Sequence, residues 1–287
     1  MEEQFETHIS AEHRLFDLHI RETFRYRDLI ILFVKKNFTT QYKQTILGPA
    51  WAIIQPLLTT IVFTIVFGSL AKLTTADTDG DFVIPAFLFY MAGNICWGYF
   101  SNTLKIISNT FLYNRRVMEK VYYPRVVSPI STALDRLISF GIQFALFLGF
   151  WLFYILRGGT DIRVTGRLLL IPLIIFQMMI LAAGTGMVIS SLTTKYRDLA
   201  MLVDFGLELW RYGCPIAYGL SLVPDRYLGL YLLNPAVSIL TSFRYAVFGF
   251  GFFDLKYCLL SWLVSIAILM LGLVLFSRIE RTFMDTI

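Results

Sequence analysis

The chain has 287 residues and a formal net charge of +5, yet 56% of its residues are hydrophobic and only 16% are charged, with a mean hydropathy of +0.64. Soluble domains carry roughly 25% charged residues, so this composition excludes an ordinary soluble enzyme of one or two domains. A nucleic-acid surface is excluded too, because no soluble face exists to carry the basic excess.

The first 28 residues are polar and carry both charge signs. They lack a signal peptide's basic start, apolar core and cleavage site, so the N-terminus is expected to stay where it is made. His8, His13 and His19 all lie in this tail with no cysteine pair nearby, and no metal site is expected. In block 29–48, Val34, Phe38, Tyr42 and Ile46 recur every four positions, with Lys36, Thr40 and Lys43 opposite. This is the pattern of an amphipathic helix lying in a membrane interface, apolar face in the acyl boundary and lysines among headgroups. Gly48-Pro49 ends it as an elbow, since proline suits the first turn of the next helix. Trp51 suits headgroup depth.

Uncharged or nearly uncharged runs then predict six spans, at about 49–71, 82–104, 130–156, 168–193, 199–221 and 257–277, each near the ~20 residues that cross hydrocarbon. Gln55 sits beside Pro56 just inside the first, either hydrogen-bonding across helices or facing a channel. The outer loop Thr74–Asp81 is short and solvated. After span two, NTFLYNRRVMEKVYYP reads as a short amphipathic helix ending at Pro124, and Asp135 and Arg136 follow near the start of span three. Span four carries AAGTGMVISS, small residues that let helices approach closely. Segment 222–256 breaks at Pro224 and Asn234-Pro235 into apolar pieces of re-entrant rather than spanning length. A polar tail, 278–287, closes the chain. The predicted class is all-α integral membrane: six transmembrane helices (49–277), an N-terminal interfacial helix, and short re-entrant outer helices before the last span.

Lys and Arg crowd the segment before span one, the connection after span two (Lys105, Arg115, Arg116, Lys120, Arg125), the loop at Lys195 and Arg197, and the tail, whereas the first outer loop has only Lys72 among aspartates. By the positive-inside rule both termini are cytoplasmic, against which Arg157, Arg163 and Arg167 in the third loop run contrary.

No Walker loop, nucleophile elbow or metal-spaced His/Glu pair is present, so any energy source lies in a gradient or a partner. Cys96, Cys214 and Cys258 are unrelated in spacing and read as apolar fillers. Asp204, Glu208 and Arg211 share one face of span five. Each costs roughly 2.5–3.5 kcal/mol at the bilayer centre, so the face looks at a partner or at water. It is either the polar wall of a conduit or a Glu208–Arg211 pair that fixes packing, with Asp204 at the cytoplasmic mouth. Tyr90, Trp97, Trp210, Tyr212 and Tyr218 serve as membrane-belt aromatics or as a lining for sugar, whose C–H faces stack on rings.

The stretch RDLIILFVKKNFTTQYKQTILGPAWAIIQPLL (27–58) resembles the N-terminal signature of type-2 ABC transporter permeases that export polysaccharides: O-antigen, capsule and teichoic-acid exporters. So do MEKVYYPRVVSP (118–129), KYRDLAMLVDFGLELW (195–210), CPIAYGLSLVP (214–224) and LYLLNPAVSILTSFRYAVFG (230–249). The resemblance implies a homodimeric permease in a bacterial inner membrane, paired with two copies of a separate ABC ATPase that binds ATP and Mg. This chain itself would carry no cofactor. It implies a coupling helix at Asn109–Tyr123, with Asn114, Arg115, Arg116, Glu119 and Lys120, and a second contact at Lys195, Arg197 and Asp198. Pro224, Asn234, Pro235 and Arg244 would belong to an outer gate, and a polyprenyl-diphosphate-linked glycan would be the cargo. Lys35, Lys36 and Lys43 would attract its diphosphate or simply anchor to anionic lipid. Other readings are an exporter of a small hydrophobic drug or lipid, an ion-coupled carrier resting on the three charged residues of span five, and a membrane-embedded transferase, for which no carboxylates converge on a loop.

Overall fold

The computed structural model describes residues 25–43, 45–73, 84–118, 120, 123–158, 160–194 and 198–285. The tail to residue 24 with its histidines, the outer loop, Glu119, Lys195 and Arg197 lie outside them, as do the side chains of 115–118 and 280–285. Among the described residues every regular element is helical.

Helix α1 (Arg27–Tyr42) stops short of Ile46. Gly48, at φ +51°, takes a left-handed turn that β-carbon-bearing residues avoid, and Pro49 opens the next helix. Of the stripe expected to face acyl chains, Tyr42 packs on the protein, Val34 and Phe38 are half-buried and Ile46 is exposed. Tyr42 is buried with its hydroxyl 3.3 Å from Ser139, and Tyr26, Leu29, Ile30 and Phe33 join a cluster with Ile107, Tyr123 and Phe276. Ile31 and Leu32 are the exposed apolar residues of α1. The 16-residue helix is thus a strut against the bundle.

Next come α2 (Trp51–Phe63), prolonged by a wide π-type turn over Thr64–Leu70, and α3 (Ala86–Ser108). They are followed by α4 (Thr110–Met118), α5 (Val127–Arg157), α6 (Ile171–Thr193) and α7 (Leu199–Tyr212). The last three are α8 (Asp225–Leu232), α9 (Pro235–Phe248) and α10 (Leu255–Asp285). Four stretches are long and apolar enough to cross hydrocarbon: Gly48–Leu70, Val127–Arg157, Gly166–Thr193 and Leu255–Ile279. Helix α3 has the length, at 23 residues, but carries Asn94, Ser101, Asn102, Tyr90, Tyr99 and Trp97, and most of it is buried among α2, α5, α6, α7 and α9. Helix α7 has 14 residues, about 21 Å. It ends at Gly213-Cys214-Pro215, where proline cannot continue the helix, so residues 213–221 of the predicted fifth span are turns and a short 3-10 piece. At the other end of the chain nothing breaks the helix, and α10 runs through most of the expected tail.

Helices α6 and α10 form the most extensive pair. Their approach depends on small residues: a β-carbon on Gly272 would lie 2.6 Å from the Gly184 carbonyl oxygen, and one on Gly184 would lie 2.7 Å from the Leu269 backbone. The cluster read as a packing site in span four is one.

Candidate functional site

The three charged residues of α7 separate. Asp204 pairs with Lys105 of α3 at 2.8 Å, both side chains about half exposed. Arg211 turns inward, donates to the side-chain oxygen of Asn94 at 3.2 Å, and lies 4.8 Å from the Phe63 ring centroid. Among the described residues no ion pair joins Glu208 to Arg211, and Glu208 is exposed with no polar partner. The face is therefore not a self-contained pair.

Asn94 is a junction that sequence reasoning passed over, although an amide in a span is the signal for one. It donates to Thr60 at 3.4 Å, whose hydroxyl in turn donates to the Pro56 carbonyl at 2.7 Å. That bond is the back-bond to the i−4 carbonyl that a threonine makes within a helix. One polar line thus crosses α2, α3 and α7. Gln55, one residue earlier, does not enter it; its exposed side chain lines a cleft between α1, α2, α3 and α5.

The aromatics divide likewise. Tyr90 is fully buried and Trp97 nearly so, the latter 6.4 Å from Trp210, which also meets Phe100 edge-on at 5.1 Å. These rings fill the wall behind α7 rather than forming a surface. Tyr212 is exposed, and its carbonyl accepts from the Tyr218 hydroxyl at 3.0 Å, which also meets the Tyr231 hydroxyl at 2.8 Å.

Segment 222–256 folds as two short helices either side of Asn234-Pro235, α8 starting after exposed Pro224. Asn234 caps α9 by accepting from the Ala236 N–H at 3.1 Å, and the same oxygen accepts from the Trp210 indole N–H at 3.2 Å. Every residue of α9 except Tyr245 is buried. Arg244, 1% exposed, donates to the Ile216 carbonyl at 3.2 Å and stacks 3.5 Å over the Phe89 ring. So α9 is part of the core, locked to α3 and to the turn after α7.

Among the arginines of the third loop, Arg167 has a local use. The Arg163 backbone N–H donates to the Phe248 carbonyl at 3.1 Å, and the Arg167 guanidinium donates to the Gly249 carbonyl and lies 4.3 Å over Tyr245. Cations are favoured at the free carbonyls of a helix C-terminus, and Gly249, at φ +82° with the Arg163 oxygen 2.6 Å from a β-carbon position, admits the approach.

At the opposite end of α3 sits α4. Phe111 is buried and stacked on Phe276 of α10 at 4.6 Å, whereas Leu112 and Tyr113 are 43% and 68% exposed. Sequence reasoning missed these two because it looked for charge on this helix. Asn114 is half-buried, while Lys120 and Asp198 are exposed. Thr193, at the end of α6, donates to the Ser108 carbonyl at 2.9 Å and holds this end together. Lys35, Lys36 and Lys43 are all exposed, with Lys36 5.7 Å from the Phe33 ring centroid.

The model of the ABC-2 type transporter family matches residues 28–248, most of the chain. The chain belongs to that family. This ABC-2 permease is 25% identical over 272 residues to the O-antigen export system permease protein RfbA of Myxococcus xanthus, covering 93% of the chain and 98% of the relative. It is 24% identical over 259 residues to the protein of the same name from Klebsiella pneumoniae, covering 90% and 94%. The polysialic acid transport protein KpsM of Escherichia coli is 25% identical over 217 residues, covering 74% and 78%. The ABC-2 family is one of transporter permeases, and the apolar helices make this member an integral membrane protein.

Proposed function

We propose that this ABC-2 permease is the membrane subunit of an exporter that moves a polyprenyl-diphosphate-linked polysaccharide across a bacterial inner membrane, driven by ATP hydrolysis in a separate subunit. The observation that carries the reading is Glu208: a charged, exposed, unpartnered side chain on a helix flanked by apolar exposed Phe205 and Leu209. A carboxylate is costly against hydrocarbon, so this face of α7 looks onto water. Near-complete coverage of O-antigen export permeases supports a polar cargo over a small hydrophobic one.

In this reading the permease is a homodimer with both termini cytoplasmic, and the α7 faces of the two copies border a wet conduit. Gln55, Asp204, Glu208 and Tyr212 face or flank it, while Tyr90, Trp97 and Trp210 stiffen the wall behind. Six crossings are reached when α3 passes inside the bundle and α7 with the turns after it makes the fifth. Helices α8 and α9 dip in from the outer side, with Asn234 and Arg244 holding the exit in register. Two ATPase subunits receive α4, which presents Leu112, Tyr113 and Asn114 to a groove, with the basic run Arg115–Arg116 next in sequence. ATP-driven closure of the ATPases pushes on α4, and the Phe111–Phe276 stack carries the displacement into α10 and on to α6. Lys35, Lys36 and Lys43 attract the diphosphate.

Reconstitution tests this. Proteoliposomes holding the permease with its ATPase are expected to move lipid-linked glycan to the far leaflet only with hydrolysable ATP. Uphill movement by the permease alone, or movement of a hydrophobic dye in preference to the glycan, would refute it.

A further inference from the structure

The cleft that takes up Gln55 lies between α1, α2, α3 and α5 and holds about 470 Å³ of space outside protein atoms, its open mouth included. Four amide-bearing residues line it, Gln41, Gln55, Asn102 and Gln143. Among the described residues none of the four is bonded to another protein group through its side chain. By contrast, the amides of Asn94, Gln177 and Asn234 are spent internally. The only charged lining residue, Arg136, is held by Asp135 at 2.7 Å, so the cleft carries little net charge. Trp51 supplies an exposed ring, with buried Tyr99 and Phe140 behind it in the wall.

This chemistry selects among headgroups. A phosphate only accepts hydrogen bonds and favours unneutralised cations. Amides offer donors and an acceptor together, matching hydroxyls that do both, and rings pack on the apolar faces of a pyranose. The cleft also lies at the α1 end of the apolar stretch Gly48–Leu70.

We propose that this cleft binds a pyranose ring, a sugar of the glycan on its way to the conduit; the assignment rests on the export reading above. Full-length permease in phosphatidylcholine nanodiscs would be photolabelled with three diazirine probes: dodecyl glucoside tagged on the sugar, free glucose, and dodecylphosphocholine tagged on its headgroup. Saturable adducts in segments 41–55 and 136–143 are expected from the sugar probes, falling at least about tenfold in the Gln55→Leu/Gln143→Leu double variant as hydrogen bonds are lost. Its thermal unfolding should be unchanged, since these amides have no protein partner to abandon. Labelling by the glycoside alone assigns a lipid-borne sugar; equal labelling by glucose assigns a free one. Stronger labelling by the phosphocholine probe, no saturable adduct, or adducts unaffected by the double variant would overturn the proposal. The wild-type export assay stands apart: export without adducts removes the cleft assignment alone, and adducts without export remove the export reading alone.

Discussion

The guanidinium of Arg211 on α7 reaches the side-chain oxygen of Asn94 on α3 at 3.2 Å while lying 4.8 Å from the Phe63 ring centroid on α2. Two consecutive helices and a third more than a hundred residues on meet at one cation. Removing either partner leaves the other short of a hydrogen bond in a poorly solvated place. Asn94→Ala and Arg211→Ala are each expected to cost about 1–3 kcal/mol. Together they should cost less than their sum, with a coupling of about 0.5–3 kcal/mol. A double-mutant cycle on thermal unfolding in detergent measures it; strict additivity would show that the contact carries no energy.

Glu208 should behave in the opposite way. With no protein partner, Glu208→Gln is expected to leave the unfolding temperature within a degree or two, because surface substitutions away from special contacts stay near ±0.5 kcal/mol. Glycan export should nonetheless fall. Equal export by this variant at wild-type membrane levels would show that α7 borders no conduit.

Asp204 and Lys105 test whether exposed charge pairs stabilise the protein. Such pairs contribute about 0–1 kcal/mol. Asp204→Asn should therefore barely shift unfolding, and the charge-swapped double variant, Asp204→Lys with Lys105→Asp, should be tolerated. A loss above about 2 kcal/mol in either, beyond the range of an exposed pair, would mean that the pair is shielded from solvent in the assembled transporter.

Close helix contact at α6 and α10 leaves no room for a methyl group. Gly272→Ala places a β-carbon 2.6 Å from the Gly184 carbonyl oxygen, a backbone atom that cannot swing aside. The expected loss is about 1–3 kcal/mol, read as a lower unfolding temperature. Gly98→Ala on α3, where nothing lies within 4 Å, is the matched control.

On α4 two neighbours separate stability from coupling. Phe111→Ala removes a buried ring stacked on Phe276 and should cost about 3–5 kcal/mol. Tyr113→Ala, on the exposed side, should leave unfolding unchanged but weaken co-purification of the ATPase and uncouple hydrolysis from export. Normal coupling in this variant would place the ATPase contact elsewhere.

Much of this was legible in the chain. Apolar runs mark the long helices because hydrocarbon demands about 20 uncharged residues in a row, whatever they pack against. Gly48-Pro49 marks the elbow, AAGTGMVISS marks the tight α6–α10 contact, and Asn234-Pro235 marks the junction of α8 and α9. These are signals of backbone conformation and local volume, which neighbours in sequence fix. Less legible was the length of α7: residues 199–221 read as one span, but Pro215 ends the helix early by denying it a backbone donor.

Sequence alone therefore determined that the protein lives in a membrane, where its helices turn, and which family signature it carries. Tertiary structure decided which polar groups are spent and which are free. Glu208 and Arg211 look like partners at i and i+3, yet the arginine is drawn inward by Asn94 and Phe63, from helices more than a hundred residues away. Gln55 looks like any intramembrane amide until α1, α3 and α5 close a cleft around it. A hydrogen bond depends on distances of a few tenths of an ångström between groups that only packing brings together, and no periodicity in a linear chain encodes that choice.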